Sequence, residues 1–196
     1  MKPIAESCLR NQDAIAEVLS EVFSDTDSVL ELGSGTGQHA VYMSRSFPHL
    51  TWQPTDLAEC VAGMKCWRDE AGLTNVCEPI ALDVTMKNWP ISIQYDAVFT
   101  ANTLHYVGWD IAESLLVGAA KALKSDGTFC IYGPFNENGR YTGEGNRQFD
   151  GWLKNRDPDS GIRDIETVQK SLSQFDLVLK SRYQMPANNL MLVFQL

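Results

Sequence analysis

Glu31, Gly33, Gly35 and Gly37 stand two residues apart in ELGSGTG, directly after the apolar run SVL. Glycines at this spacing let a backbone turn sharply and approach a bound group with no Cβ in the way. Amides at the start of the helix that follows can meet polar or anionic ligand groups. Ser34 lies inside this loop, and His39 lies in the first turn behind it. Two acids close later apolar runs: Asp56 after LTWQPT and Asp83 after CEPIAL. An acid after a strand is also a common helix cap. Three polar strand ends in chain order, at similar spacing, nevertheless describe a nucleoside-binding edge.

Two ligand chemistries fit the loop. Gly35-Thr-Gly37-Gln-His-Ala40 satisfies the G-x-G-x-x-A form of the dinucleotide fingerprint, and Asp56 follows where a ribose-binding acid belongs in that fold. With Glu31 added, the same residues satisfy the E-x-G-x-G-x-G loop that holds S-adenosylmethionine in class I methyltransferases. Glu31 favours the second reading. A carboxylate buried in a strand costs several kcal/mol without a partner, and the ligand's α-amino group is one such partner. Asp83 at the end of a third strand and a closing hairpin point the same way. The 196 residues leave little room for the separate substrate domain of a dehydrogenase.

Farther along, His105 in ANTLHYV follows an apolar strand. An imidazole with an unperturbed pKa of about 6.5 suits a general base where an attacking group must lose a proton. The stretch YGPFNENGRYTGEGNRQFDGW mixes polar and aromatic residues after a fifth strand, where functional loops concentrate. Its candidates for substrate contact are Tyr132, Phe135, Glu144, Asn146, Phe149 and Trp152. Phe149 and Trp152 also read, with Leu153, as one apolar helix face. Arg156, Asp157, Arg163 and Asp164 read either as surface ion pairs, worth little energy, or as a network holding a lid. The asparagines of MPANN serve a turn at least as readily as a substrate.

Stepping these residues onto elements gives a helix over 11–23, a strand at SVLEL, a strand at LTWQPTD and a helix over 57–71. VCEPIALDV reads as a third strand weakened by Pro79, and YDAVFTAN as a fourth. A helix over 111–123 leads to a fifth strand that stops at Gly133-Pro134. Short helices over 147–154 and 166–174 precede two extended runs, DLVLKSRYQ and NLMLVFQL, paired as an antiparallel hairpin. Strands alternating with helices imply one α/β domain over 1–196. Its doubly wound, mostly parallel seven-stranded sheet ends in the antiparallel hairpin. Ligands of such sheets bind beyond the carboxyl ends of the strands.

The formal net charge of −9 opposes binding to phosphate backbones, and no Lys/Arg cluster relieves it. No apolar run approaches the ~20 residues of a membrane span, and the first residues lack a signal-peptide core. A cytoplasmic protein acting on a small molecule, with neither nucleic acid nor membrane as partner, is the expectation. Five cysteines without a C-x-x-C pair and three scattered histidines argue against a metal site. Cys130, in TFCIY, is expected in the core.

The chain resembles a family of small class I methyltransferase-like proteins of unknown function. The resemblance runs through AESCLRNQD, VLELGSGTGQHAVY, LTWQPTD, FTANTLHYV, YGPF, FDGWLKNRDP, GIRD and MPANN. One departure is GEGN at 143–146, where a Ser or Thr ahead of the acid is the family's pattern. The resemblance implies S-adenosylmethionine as cofactor. It places Gly33 and Gly35 along the methionine part, Asp56 on the ribose hydroxyls, and Asp83 with the Val84 amide on the adenine. Leu57 falls beside Asp56, and Ala101 and Asn102 near the amino group and sulfur. It supplies no substrate. A non-catalytic S-adenosylmethionine-binding protein and an NAD-dependent oxidoreductase remain the alternatives.

Overall fold

The computed structural model describes residues 2–196. The longest apolar runs become the middle of one sheet: β1 (Ser28–Leu32), β4 (Tyr95–Ala101), the middle of β5 (Leu123–Glu137) and β9 (Asn189–Gln195). Their residues are buried on both faces, as strands flanked by helices must be. With β2 (Thr51–Asp56), β3 (Ile80–Ala81) and β8 (Val178–Met185), the order is β3-β2-β1-β4-β5-β9-β8. All neighbours pair in parallel except β9, which runs antiparallel to β5 and to β8. This is the expected doubly wound α/β sheet with its closing hairpin. Two-residue strands β6 (Arg140–Tyr141) and β7 (Arg163–Asp164) extend it beside the end of β5.

One face is covered by α1 (Glu6–Val22) and α2 (Gln38–Ser46), where Ile15, Leu19 and Phe23 meet Trp52, Phe99 and Cys130. The other is covered by α4 (Trp109–Ala122) and α6 (Ile165–Ser173), where Leu116, Val168 and Leu172 meet Phe129, Ile131 and Leu192. Helix α3 (Ala58–Ala71) lies beside α2, and α5 (Glu144–Arg156) beside the β8–β9 turn. No helix of the described residues is long and apolar enough to cross a membrane.

Three expectations shift. The third strand shrinks to two residues plus a bridge between Trp52 and Val76. Pro79 has no N–H to give a ladder, so the pairing breaks around it. β5 passes through Pro134 to Glu137, because its ladder with β4 has already ended at the Ala101–Tyr132 pair. Helix α1 begins five residues early, at Glu6, and α5 begins within GEGN, at Glu144. The first turn of α1 has no apolar stripe because it overhangs the edge of the sheet rather than its face.

Leu192 is fully buried in β9, the strand that ties the hairpin to the parallel sheet. Leu192→Ala should destabilise the chain by about 2–5 kcal/mol in urea denaturation. A loss below about 1 kcal/mol would show that β9 is not part of the cooperative core.

Candidate active site

The loop after β1 turns with left-handed backbone at Gly33 (φ +72°) and Gly35 (φ +56°). A Cβ on Gly33 would stand 2.6 Å from Oγ1 of Thr103, in the loop after β4. A Cβ on Gly35 would meet nothing within 4 Å. The first glycine thus lets two strand-end loops touch, and the second keeps a space open. Asp56 ties the loop to β2: its Oδ2 accepts the Gly35 amide at 2.6 Å and its Oδ1 the Leu57 amide at 2.7 Å. The Ser34 amide donates to the Thr55 carbonyl at 2.9 Å.

These residues border a cleft of about 760 Å³ at the carboxyl edge of the sheet. Gly33, Ser34, Gly35, His39, Asp56, Ala101 and Asn102 all line it. Pro3, Ala5, Ser7 and Cys8 close it from above, and Cys60 and Gly63 of α3 close its far end. This overhanging segment is pinned where the Trp67 indole donates to the Pro3 carbonyl and Lys2 pairs with Glu70, each at 2.6 Å.

Glu31 lies beneath the loop, 1% exposed, and receives the Trp52 indole N–H at 2.9 Å. Burial pushes its carboxyl up to about 7, against the stabilising bonds from Trp52 and Ser34. His39 is also buried; its Nε2 bonds Asn11 Oδ1 at 2.8 Å, and burial pulls it down to about 4.

Besides Glu31, three expected residues do not line the cleft. Leu57 is exposed at the head of α3 and offers its amide to Asp56. Asp83 turns onto its own loop, accepting the Thr85 amide at 2.9 Å and its hydroxyl at 2.7 Å. Those bonds hold its carboxyl below the usual range. Val84 packs against the core under α4. With β3 cut short, a local side-chain turn captures Asp83 before it reaches the sheet edge.

A second cleft, also about 760 Å³, opens beside the first and shares Ser7, Asn102 and Tyr106 with it. Of the residues read as base or substrate contacts, His105, Tyr132, Asn146 and Phe149 line it. Phe149 meets His105 edge-on at 5.4 Å, and Tyr106 lies 4.8 Å from the same ring. Burial first, then the charges of Arg163 and Arg156, push His105 down to about 3. The unperturbed value assumed from sequence therefore does not describe this imidazole.

The remaining substrate candidates point elsewhere. Phe135, 2% exposed, belongs to the core under α4 and α6. Glu144 is exposed and pairs with Arg147 one helical turn on, at 2.8 Å. Trp152 is 53% exposed and stacks on the outer side of Phe149 at 5.8 Å, which rules out a core face through it. Neither Arg156 nor Arg163 forms an ion pair among the described residues. Arg163 donates to the carbonyls of Leu104, Val107 and Asp159, and Arg156 to that of Tyr106 at 2.7 Å. They hold the His105 loop by its backbone.

Ser7, Arg10 and Asn11 line the second cleft and went unread in the sequence. Their i, i+3, i+4 spacing puts them on one helical face. It continues the stripe of Ile15 and Leu19, polar where it leaves the core.

The buried carboxyl gives a pH test. The folded chain keeps the Glu31 proton up to about pH 7, whereas the unfolded chain releases it near 4.5. Stability from this group is complete below 4.5 and lost as pH rises through 7. Glu31→Gln, which keeps an acceptor for Trp52, should gain stability relative to the parent between pH 5 and 7 and then level off. A difference independent of pH in urea denaturation would contradict the raised pKa.

Solved structures share this architecture. An O-methyltransferase family protein from Burkholderia thailandensis aligns with a TM-score of 0.81 at 18% identity, covering 94% of this chain and 55% of the other. The S-adenosylmethionine-dependent methyltransferase SibL gives 0.80 at 20% identity, with 96% and 55% covered. An O-methyltransferase family 2 protein from Planctomyces limnophilus, in complex with apigenin, gives 0.80 at 14% identity, with 94% and 56% covered. The chain spans little more than half the length of these structures, and the likeness is one of fold. By sequence, residues 2–196 match the family described as a protein of unknown function, DUF938, and the chain belongs to that family.

Proposed function

We propose that this chain is an S-adenosylmethionine-dependent methyltransferase acting on a small molecule. The observation that carries this reading is the meeting of two clefts at Asn102 and Tyr106. One is built on the glycine loop and Asp56, and the other is walled by His105 and aromatic rings. The first cleft fits the cofactor. Open space stands where a Gly35 side chain would be, and a carboxylate on β2 faces the same space. Both volumes fall in the usual range for small-ligand pockets.

S-adenosylmethionine supplies a methyl group activated by positively charged sulfur. Gly33, Ser34 and Gly35 hold its methionine part by backbone, with Glu31 beneath them, His39 behind and Ala101 and Asn102 alongside. Asp56 accepts the ribose hydroxyls. The protein's work is then to position and desolvate the acceptor. When bound, the cofactor would supply its activated methyl group to an acceptor atom held in the second cleft. His105 would accept the hydrogen bond of the acceptor's departing proton. Because His105 is neutral at physiological pH, it is always free to accept a hydrogen bond. Arg156 and Arg163 oppose its protonation, so proton acceptance needs compensating negative charge in the second cleft.

Two measurements test the reading. In calorimetric titration with S-adenosylmethionine, Asp56→Ala should weaken binding at least about tenfold through loss of charge-assisted hydrogen bonds. Gly35→Val should abolish binding with native far-UV circular dichroism, since its side chain enters the cleft. Undiminished binding by both variants would overturn the cofactor site.

Labelled cofactor incubated with a cell metabolite extract should identify the acceptor. On that acceptor, His105→Ala should lower turnover by roughly 10²–10⁴-fold and leave cofactor affinity unchanged. The parent should show no acid limb from His105 near pH 6.5, because the group titrates near 3. Binding without transfer to any extract component would favour a non-catalytic binding protein.

A further inference from the structure

We propose that the second cleft takes a small planar aromatic carboxylate, its ring against Phe149 and Tyr106 and its carboxylate on Arg10. This rests on the methyltransferase reading and names the class of its acceptor.

The first support is charge. The chain carries 25 acidic residues against 16 Lys and Arg, yet no Asp or Glu lines this cleft, while Arg10 does. Among the described residues Arg10 forms no ion pair. Arg156 adds a second cation at the rim, its guanidinium 4.6 Å above the Tyr106 ring. A cleft with this lining in an acidic protein draws anions and rejects ammonium groups. It also occupies the Tyr106 face that a cation would use.

The second support is shape and surface. Tyr106 and Phe149 both line the cleft, their rings 6.3 Å apart at 70°. Trp152 braces Phe149 from outside at an interplanar angle of 10°. Such an array favours a flat ring over an aliphatic chain. The lining also holds neutral amides, among them Asn11, Asn102, Asn188 and Asn189. They can orient hydroxyl or carbonyl substituents without adding charge.

The third support is backbone conformation. Among the described residues five non-glycines have left-handed backbone, and three of them, Asn102, Ala187 and Asn188, border this one cleft. Such conformations are costly outside glycine and persist where a site requires them. Asn188 is held by its carbonyl, which accepts Asn146 Nδ2 at 3.2 Å.

The test is calorimetric binding to the full chain saturated with S-adenosylhomocysteine, which cannot donate a methyl group. The probes are the three hydroxybenzoates, the matching hydroxybenzamides and cyclohexanecarboxylate. At least one hydroxybenzoate should bind about tenfold more tightly than its amide, the ratio one charge-assisted hydrogen bond provides, and more tightly than cyclohexanecarboxylate. Arg10→Gln, an exposed substitution, should bring acid and amide within about twofold of each other, and Arg10→Lys should restore part of the difference. Phe149→Leu should weaken the hydroxybenzoate and leave S-adenosylhomocysteine binding unchanged. Equal binding of acid and amide, equal binding of cyclohexanecarboxylate, an unchanged ratio in Arg10→Gln, or no hydroxybenzoate binding each overturns the proposal. S-adenosylhomocysteine binding in the same cell separates the two readings. If it binds while the probes fail, only the acceptor class falls. If it does not bind, the methyltransferase reading falls and takes this one with it.

Discussion

Thr103 fills the space that a side chain at position 33 would need. That contact lets the loops after β1 and β4 close against each other, and the rest of the site is arranged around it. Thr100, two positions before Asn102, donates from its hydroxyl to the Leu32 carbonyl at 2.8 Å, and Thr103 donates to the Ala101 carbonyl at 3.2 Å. The ends of the two central strands are thereby stitched together at the level where both clefts begin. Asn102 then projects from a left-handed backbone (φ 56°) onto the boundary between them. A larger residue at 33 would part the loops and merge or shift the two spaces.

Two guanidinium groups fix the other wall. Arg163 and Arg156 spend their donors on four backbone carbonyls, three of them from residues 104–107. Carbonyl partners satisfy the N–H groups but leave the positive charge uncancelled. An ion pair would have held the loop as well and silenced the field. The uncancelled charge reaches the His105 ring and, through Arg156 above Tyr106, the rim of the second cleft.

Protonation within the site follows one rule. Glu31 is pushed up, and His39 and His105 are pushed down, each mainly by loss of water. All three shifts favour the uncharged form. The dry layer between α1, α2 and the sheet thus tends toward neutrality while the protein surface carries the net negative charge. A ligand bringing its own charges meets few competing fixed charges there, and each polar contact counts for more at low local dielectric.

The strands and helices were largely legible in the chain because their causes are local. Apolar runs the length of a strand, glycines after SVLEL and alternating helical stripes can be read residue by residue. They placed Gly33, Gly35, Asp56, Asn102 and His105 at one edge. What the sequence could not show were choices between partners of equal chemical type. Asp83 bonds its own Thr85 rather than facing a cleft. Phe135 faces the core, whereas Phe149, equally aromatic, faces a cavity. Arg156 and Arg163 select carbonyls over the acids beside them. The first turn of α1 carries its polar stripe over the sheet edge and brings Arg10 to the second cleft. Local composition and spacing determine which elements form and where their ends lie. Which of several suitable neighbours each end side chain meets is decided only when distant elements pack, because that depends on separations and orientations spanning dozens of residues.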